Sequence, residues 1–150
     1  MRAAIRISIQ KMRSNQGGPF GAVIVRGGKV VGRGWNQVTS TNDPTAHAEV
    51  VALRAACKRL KTFWLDECEL YTSCEPCPMC LAAIYWARIE RVYYANTRKD
   101  AAKIDFDDDF IYREIVRPRS LRRIHMKQVL RKEALRAFAE WRTKADRKPY

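Results

Sequence analysis

The sequence predicts an α/β protein: a three-layer αβα domain with a mixed central sheet of about five strands and helices on both faces. Three observations predict it. β-rich and helix-periodic runs alternate along most of the chain. They follow two adjacent β-rich runs near the N-terminus that read as a hairpin, which makes the sheet mixed. The chain has 150 residues, 47% hydrophobic and 30% charged, enough to bury one core without disulfides. One domain spanning 1–150 is the reading, with no linker-like stretch and no internal repeat.

The elements follow in order. Ala4, Ile5, Ile9 and Met12 make a helical stripe between Met1 and Asn15, stopped by Gly17, Gly18 and Pro19. Phe20 to Val25 and Lys29 to Gly34 form the hairpin about Arg26, Gly27 and Gly28. Asp43 as N-cap and Pro44 as first helical residue open a helix to about Lys61, with Val50, Leu53, Cys57 and Leu60 on one face. His47 and Glu49 then fall in its first turn. Glu69 to Thr72 is a short strand, and Pro78 opens a second helix through Ile84, Tyr85 and Ala87. Arg91 to Ala95 is a further strand, Asp108 to Ile115 a short helix, Ile124 to Val129 a last strand, and Glu133 to Lys144 a last helix.

Composition narrows the function. Apolar runs such as Leu81 to Ala87 fall far short of the ~20 residues that cross a bilayer. Arginines interrupt Met1 to Gln10, so neither a membrane segment nor a secretion signal is expected. Five cysteines are an odd number, and Cys74, Cys77 and Cys80 crowd into one short stretch. That suits a cytoplasmic protein with a metal site better than a disulfide framework. The formal net charge is +13. Arg113 to Lys148 holds thirteen Lys and Arg against four Asp and Glu, so most of the excess lies in the C-terminal quarter. Counterion release would give such a surface affinity for nucleic acid. A solvated face is the simpler account, and nucleic acid is the lesser partner reading.

The chemistry concentrates upstream. His47-Ala48-Glu49 and Pro76-Cys77-Pro78-Met79-Cys80 reproduce the H-x-E and P-C-x-x-C pattern of zinc-dependent nucleobase deaminases. One imidazole and two thiolates suit Zn²⁺, one ion per subunit, and leave a fourth tetrahedral position for water. Zinc lowers the pKa of that water to roughly 7. Glu49 is placed to take its proton and pass it to a ring nitrogen and then to a leaving amine. A structural zinc site would close with two more ligands, but Cys57 faces a helix core and Cys68 precedes a strand. Cys74 is read as a small buried residue at a strand end, with competition for the metal as the alternative.

Three stretches carry a wider likeness: Gly18-Pro19-Phe20-Gly21-Ala22-Val23-Ile24-Val25, Asn42 to Val50, and Tyr71 to Cys80. With Phe106 to Ile115 and the terminal Tyr150, they make the chain resemble the bacterial guanine deaminases of the cytidine-deaminase-like superfamily along nearly its whole length. The first three also resemble transfer-RNA adenosine deaminases and plant guanosine deaminases; the last two separate the guanine enzymes from the RNA editors. The resemblance implies the cytidine-deaminase-like fold and hydrolysis of guanine to xanthine and ammonia by attack of zinc-bound hydroxide on C2. It implies that Asn36 and Asp108 hold the polar edges of the purine, that Phe20, Trp86 and Phe106 line its faces, and that Ala48 contacts it. It further implies a homodimer in which a swapped segment, about residues 117–150, carries Tyr150 into the partner's site. Asp105 stands where the family pattern has glycine. The alternative activities are transfer-RNA adenosine deamination and guanosine or cytidine deamination at the same zinc site. Without the resemblance, Asn36 would be a turn residue, Asp107, Asp108 and Asp109 a helix cap, Trp86 and Phe106 core, and Tyr150 a frayed end.

Overall fold

The structure is a computed structural model and describes residues 1–106 and 108–149. In chain order the elements are α1 (Arg2–Arg13), β1 (Gly21–Arg26), β2 (Lys29–Trp35), α2 (Val38–Thr41), α3 (Ala48–Leu60), β3 (Cys68–Cys74), α4 (Pro78–Trp86), β4 (Arg91–Asn96), α5 (Arg98–Ala102), α6 (Asp109–Val116), a 3₁₀ turn at Arg119–Leu121, and α7 (Arg131–Thr143). They divide into two compact units, Met1–Tyr112 and Arg113–Tyr150.

The first unit holds a mixed sheet in the order β2-β1-β3-β4. β1 runs antiparallel to β2 and β3, and β3 runs parallel to β4. A parallel step needs a crossover, and α4 supplies it. A Cβ added at Gly21 would lie 2.4 Å from Ala4 O in α1, and one at Gly34 would lie 2.1 Å from Ala48 O in α3. Ala22, the neighbour of Gly21, pairs with Gly34. Successive strand residues point to opposite faces, so α1 and α3 cover opposite sides of the sheet and the unit has three layers.

Apolar burial is concentrated on the α3 side. Ala22, Ile24 and Leu70 of the sheet, all at 0% exposure, pack with Ala52 and Leu53 of α3 and Ile84 of α4. Glycine and alanine set how close α3 comes. Gly32 and Gly34 alternate on β2 and face Ala48, Ala52 and Ala56, which recur every fourth residue on the helix. With no side chain on one surface and methyl groups on the other, helix and strand backbones almost touch.

Two expectations are corrected. The sheet has four strands among the described residues, not about five, because residues 124–129 join no ladder. That stretch belongs to a unit with no sheet, and a strand exists only against a neighbour. The helix expected from Pro44 starts at Ala48. Asp43 Oδ1 instead accepts from the backbone N–H of Thr45 at 2.8 Å and from its hydroxyl at 2.6 Å. This local turn competes with helix. His47 is therefore the N-cap, in extended conformation, and Glu49 the second helical residue. Two further short helices, α2 and α5, carry no periodic stripe in the sequence; Thr97 and Asp100 open α5 with a reciprocal capping box.

The second unit, taken by itself, is helical and strongly exposed. Arg122 donates to the carbonyls of Ile115 and Arg117. On α7, Leu135, Phe138 and Trp141 are 40%, 75% and 44% exposed. No helix among the described residues is long and apolar enough to cross a membrane.

Candidate active site

Two helix starts meet at the carboxyl end of β3, where open α/β sheets place their ligand crevices. His47 caps α3. Cys77 caps α4, Pro78 follows as its first residue, and Cys80 is the third helical residue. His47 Nδ1 lies 3.5 Å from Cys77 Sγ and 3.6 Å from Cys80 Sγ. The donor atoms of the three residues all fall within 4.8 Å of one another. A tetrahedral zinc about 2.3 Å from sulfur and about 2.0 Å from imidazole nitrogen separates such atoms by about 3.5 Å. Donor types and spacing both fit that ion.

The charges follow from this proximity. The Cys77 thiol is held down at about 4, foremost by accepting a hydrogen bond from Cys80 and also by the His47 imidazole. The same sharing, with burial, pushes the Cys80 thiol up. His47 is raised, first by its bond to Cys77. Helix N-termini add their positive ends to a site that favours thiolate.

Glu49 stands beside the cluster and is 6% exposed. Thr72 Oγ1 donates to its Oε1 at 2.9 Å, and its Oε2 lies 3.4 Å from Cys80 Sγ. Burial pushes its carboxyl above the usual range, the direction that favours proton uptake nearer neutral pH.

A cavity of 480 Å³ opens onto this cluster, and His47, Ala48, Glu49 and Cys77 form part of its wall. Phe20 and Phe106 form an apolar corner, in an edge-to-face contact with centroids 4.8 Å apart. Asn36 and Asp108 also line it. Asn36 is 7% exposed, and its Oδ1 accepts from the backbone N–H of Val38 at 3.2 Å. It therefore finishes a turn through its amide oxygen and is also part of the cavity wall. Asp108 is half-buried, and burial together with the nearby Cys77 charge raises its carboxyl. Just before this corner Asp105 adopts φ 67, a left-handed conformation that favours glycine and that Asp tolerates.

The structure therefore brings together His47, Cys77, Cys80, Glu49, Ala48, Asn36, Asp108, Phe20 and Phe106. Trp86 does not join them: it ends α4, is 64% exposed and is absent from the cavity wall. Nine residues of helix carry it away from the two cysteines at the other end. Tyr150 lies outside the described residues. Cys74 closes β3, buried, with burial pushing its thiol to about 11; it also lines the cavity, outside the metal cluster. Sequence reasoning missed Arg98, which lines the cavity and lies 4.8 Å over the Tyr112 ring. No local signal marks it. It missed Thr72 as well, whose signal is a hydroxyl at a core-facing position of a strand.

The match to known proteins agrees with this geometry. Residues 1–96 match the family model of the cytidine and deoxycytidylate deaminase zinc-binding region. The chain is 52% identical over 150 residues to a guanine deaminase of Bacillus subtilis, covering 100% of this chain and 96% of that protein. An X-ray structure of guanine deaminase from the same organism superposes with a TM-score of 0.96 at 52% identity, covering 99% of this chain and 95% of that one. A tRNA-specific adenosine deaminase of Aquifex aeolicus is 47% identical over 81 residues, covering 54% of each chain.

Proposed function

We propose guanine as the substrate of this chain, which belongs to the cytidine and deoxycytidylate deaminase family, and hydrolysis to xanthine and ammonia as its reaction. The observation that carries the reading is the pairing, in one cavity beside the metal cluster, of amide donors on Asn36 with a half-buried carboxylate on Asp108. Guanine offers ring and amine N–H donors on one edge and carbonyl and ring-nitrogen acceptors on another. Asp108 accepts from the first and Asn36 donates to the second. A base leaving either group unpaired would be rejected by roughly 10⁴-fold. The end-to-end likeness to a guanine deaminase, against a half-length likeness to an RNA-directed enzyme, favours the same substrate.

His47, Cys77 and Cys80 would hold zinc, which when bound supplies a water molecule acidified to a pKa of roughly 7. Glu49 takes a proton from water as its oxygen adds to C2 of the purine. The same carboxyl returns that proton to the adjacent ring nitrogen, then takes the remaining proton from the hydroxyl added at C2 and gives it to the amine, so that the C2–N bond breaks, ammonia leaves and C2 becomes a carbonyl. Phe20 and Phe106 together form the apolar corner against which the ring packs. Ala48, first residue of α3, offers one of the backbone N–H groups a helix start leaves unpaired.

The assembly proposed is a homodimer built by exchange of residues 117–150 as part of one domain, with the partner subunit's Tyr150 closing the site. Exposed Leu135, Phe138 and Trp141 on α7, and β4 as an edge strand with Tyr93 and Tyr94 at 44% and 50% exposure, support it. Five free thiols suit the cytoplasm.

The test follows ammonia release by zinc-loaded protein from guanine, guanosine, adenine, cytosine, their nucleosides and a transfer-RNA anticodon stem-loop. Turnover of guanine above all others is expected. Turnover of a nucleoside or the RNA without guanine would overturn the substrate.

A further inference from the structure

Thr72 has no role in the metal cluster or the cavity wall, yet its chemistry is out of place where it stands. It lies at the centre of the sheet, paired with Ala22 of β1 and Tyr94 of β4, and is 1% exposed. Its side chain shares the α3 face with Ala22, Ile24 and Leu70, all apolar and at 0% exposure. Valine has the same shape and would bury there without a polar atom to satisfy. A hydroxyl in that setting carries a desolvation cost unless it is bonded. The bond it makes is to Glu49 Oε1, at 2.9 Å.

That bond divides the two oxygens of Glu49. Oε1 is held by Thr72 on the sheet side, and Oε2 is left facing Cys80 Sγ at 3.4 Å, the side of the metal cluster. A threonine hydroxyl can donate to a carboxylate oxygen, and equally to the carbonyl oxygen of a carboxylic acid when the proton sits on the other oxygen. The contact therefore persists through a proton-transfer cycle provided Oε2 is the oxygen that loads and unloads. We propose that Thr72 is a positioning residue: its hydroxyl fixes the carboxylate plane of Glu49 and assigns proton transfer to Oε2. The inference rests on the deaminase reading of this site. It concerns orientation, and Thr72 itself touches neither substrate nor metal.

The experiment compares zinc-loaded Thr72→Val, Thr72→Ser and Thr72→Ala with the unaltered protein. Readouts are steady-state ammonia release, zinc content, and crystal structures of the zinc-loaded Val and Ser variants. Loss of orientation at the reacting centre can cost about 10²-fold. Thr72→Val is expected to lower kcat by about 10- to 100-fold with KM within about twofold and zinc unchanged. Thr72→Ser should recover most of kcat, and the Glu49 carboxylate should be turned in the Val variant but not in Ser. A Val variant with unchanged kcat, or a Ser variant as impaired as Val, overturns the assignment. So does an unturned carboxylate in the Val crystal. Should Val fail to fold, the Ser and Ala pair differs by the hydroxyl alone, and equal kcat in the two overturns it. If the unaltered protein releases no ammonia from guanine, the substrate reading fails. The variants are then compared on whichever base or nucleoside it does turn over, and the crystal comparison stands regardless of substrate.

Discussion

Replacing Gly34 by alanine should damage stability and catalysis together, because this glycine sets the distance between β2 and the helix that carries His47 and Glu49. The added Cβ would lie 2.1 Å from Ala48 O, 2.5 Å from Ala52 N and 3.1 Å from Val51 Cβ. Carbon and carbonyl oxygen approach to about 3.3 Å at closest, so the first turn of α3 must retreat by about 1 Å. The two nearest atoms are backbone, and no flexible side chain can swing aside to absorb the overlap. Overpacking of this kind costs about 1–3 kcal/mol, and a clash against a helix backbone belongs at the upper end. For a protein of this length about 3 kcal/mol corresponds to a fall in Tm of about 6–12 °C. The same retreat carries Glu49 relative to Cys77 and Cys80, which are held on α4, and a displacement of about 1 Å at a reacting centre costs on the order of 100-fold in rate. Thermal unfolding followed by circular dichroism, zinc content, and ammonia release measure the three effects. A Gly34→Ala protein with Tm within about 2 °C of the original and kcat within about twofold would refute the claim that backbone contact at Gly34 positions the site.

Glu49→Gln should keep the fold and the zinc, since the three donor side chains are untouched, while kcat falls by about 10²- to 10⁴-fold; ammonia release and elemental analysis on one preparation decide it, and unaltered turnover would remove Glu49 from the mechanism. Deleting Tyr150 should leave a folded dimer by sedimentation with reduced kcat/KM for guanine, and full activity would show that the terminal residue does not reach a site.

Much of the candidate site was legible because metal chemistry restricts residue types. Histidine two before a glutamate, and two cysteines separated by Pro78 and Met79, are spacings that helix starts can bring together. The structure does so, with donor separations of 3.5 and 3.6 Å. Asn36 and Asp108 were legible only through likeness to a family, because each has an adequate local role: Asn36 does serve its turn, accepting from Val38. Trp86 likewise was offered only by likeness to the family, and the structure places it at the end of α4, 64% exposed and outside the cavity wall. The start of α3 was misjudged because Asp43-Pro44 is a sound helix opening in isolation, and the side-chain bonds of Asp43 to Thr45 took its place.

The amino-acid sequence by itself determined the local and compositional features: the α/β class from alternating periodicities, the candidate ligand set from residue chemistry, and the proposed proton carrier from its spacing to the candidate ligand histidine. Tertiary structure alone decided the rest. Whether residues 124–129 form a strand depends on a neighbour that their own unit does not contain. How near α3 lies to β2 depends on glycines and alanines that mean little until they face each other. The bond from Thr72 to Glu49 joins residues 23 positions apart, from a strand and a helix. Periodicity and motif spacing are short-range quantities, whereas these three depend on which surfaces the folded chain presses together.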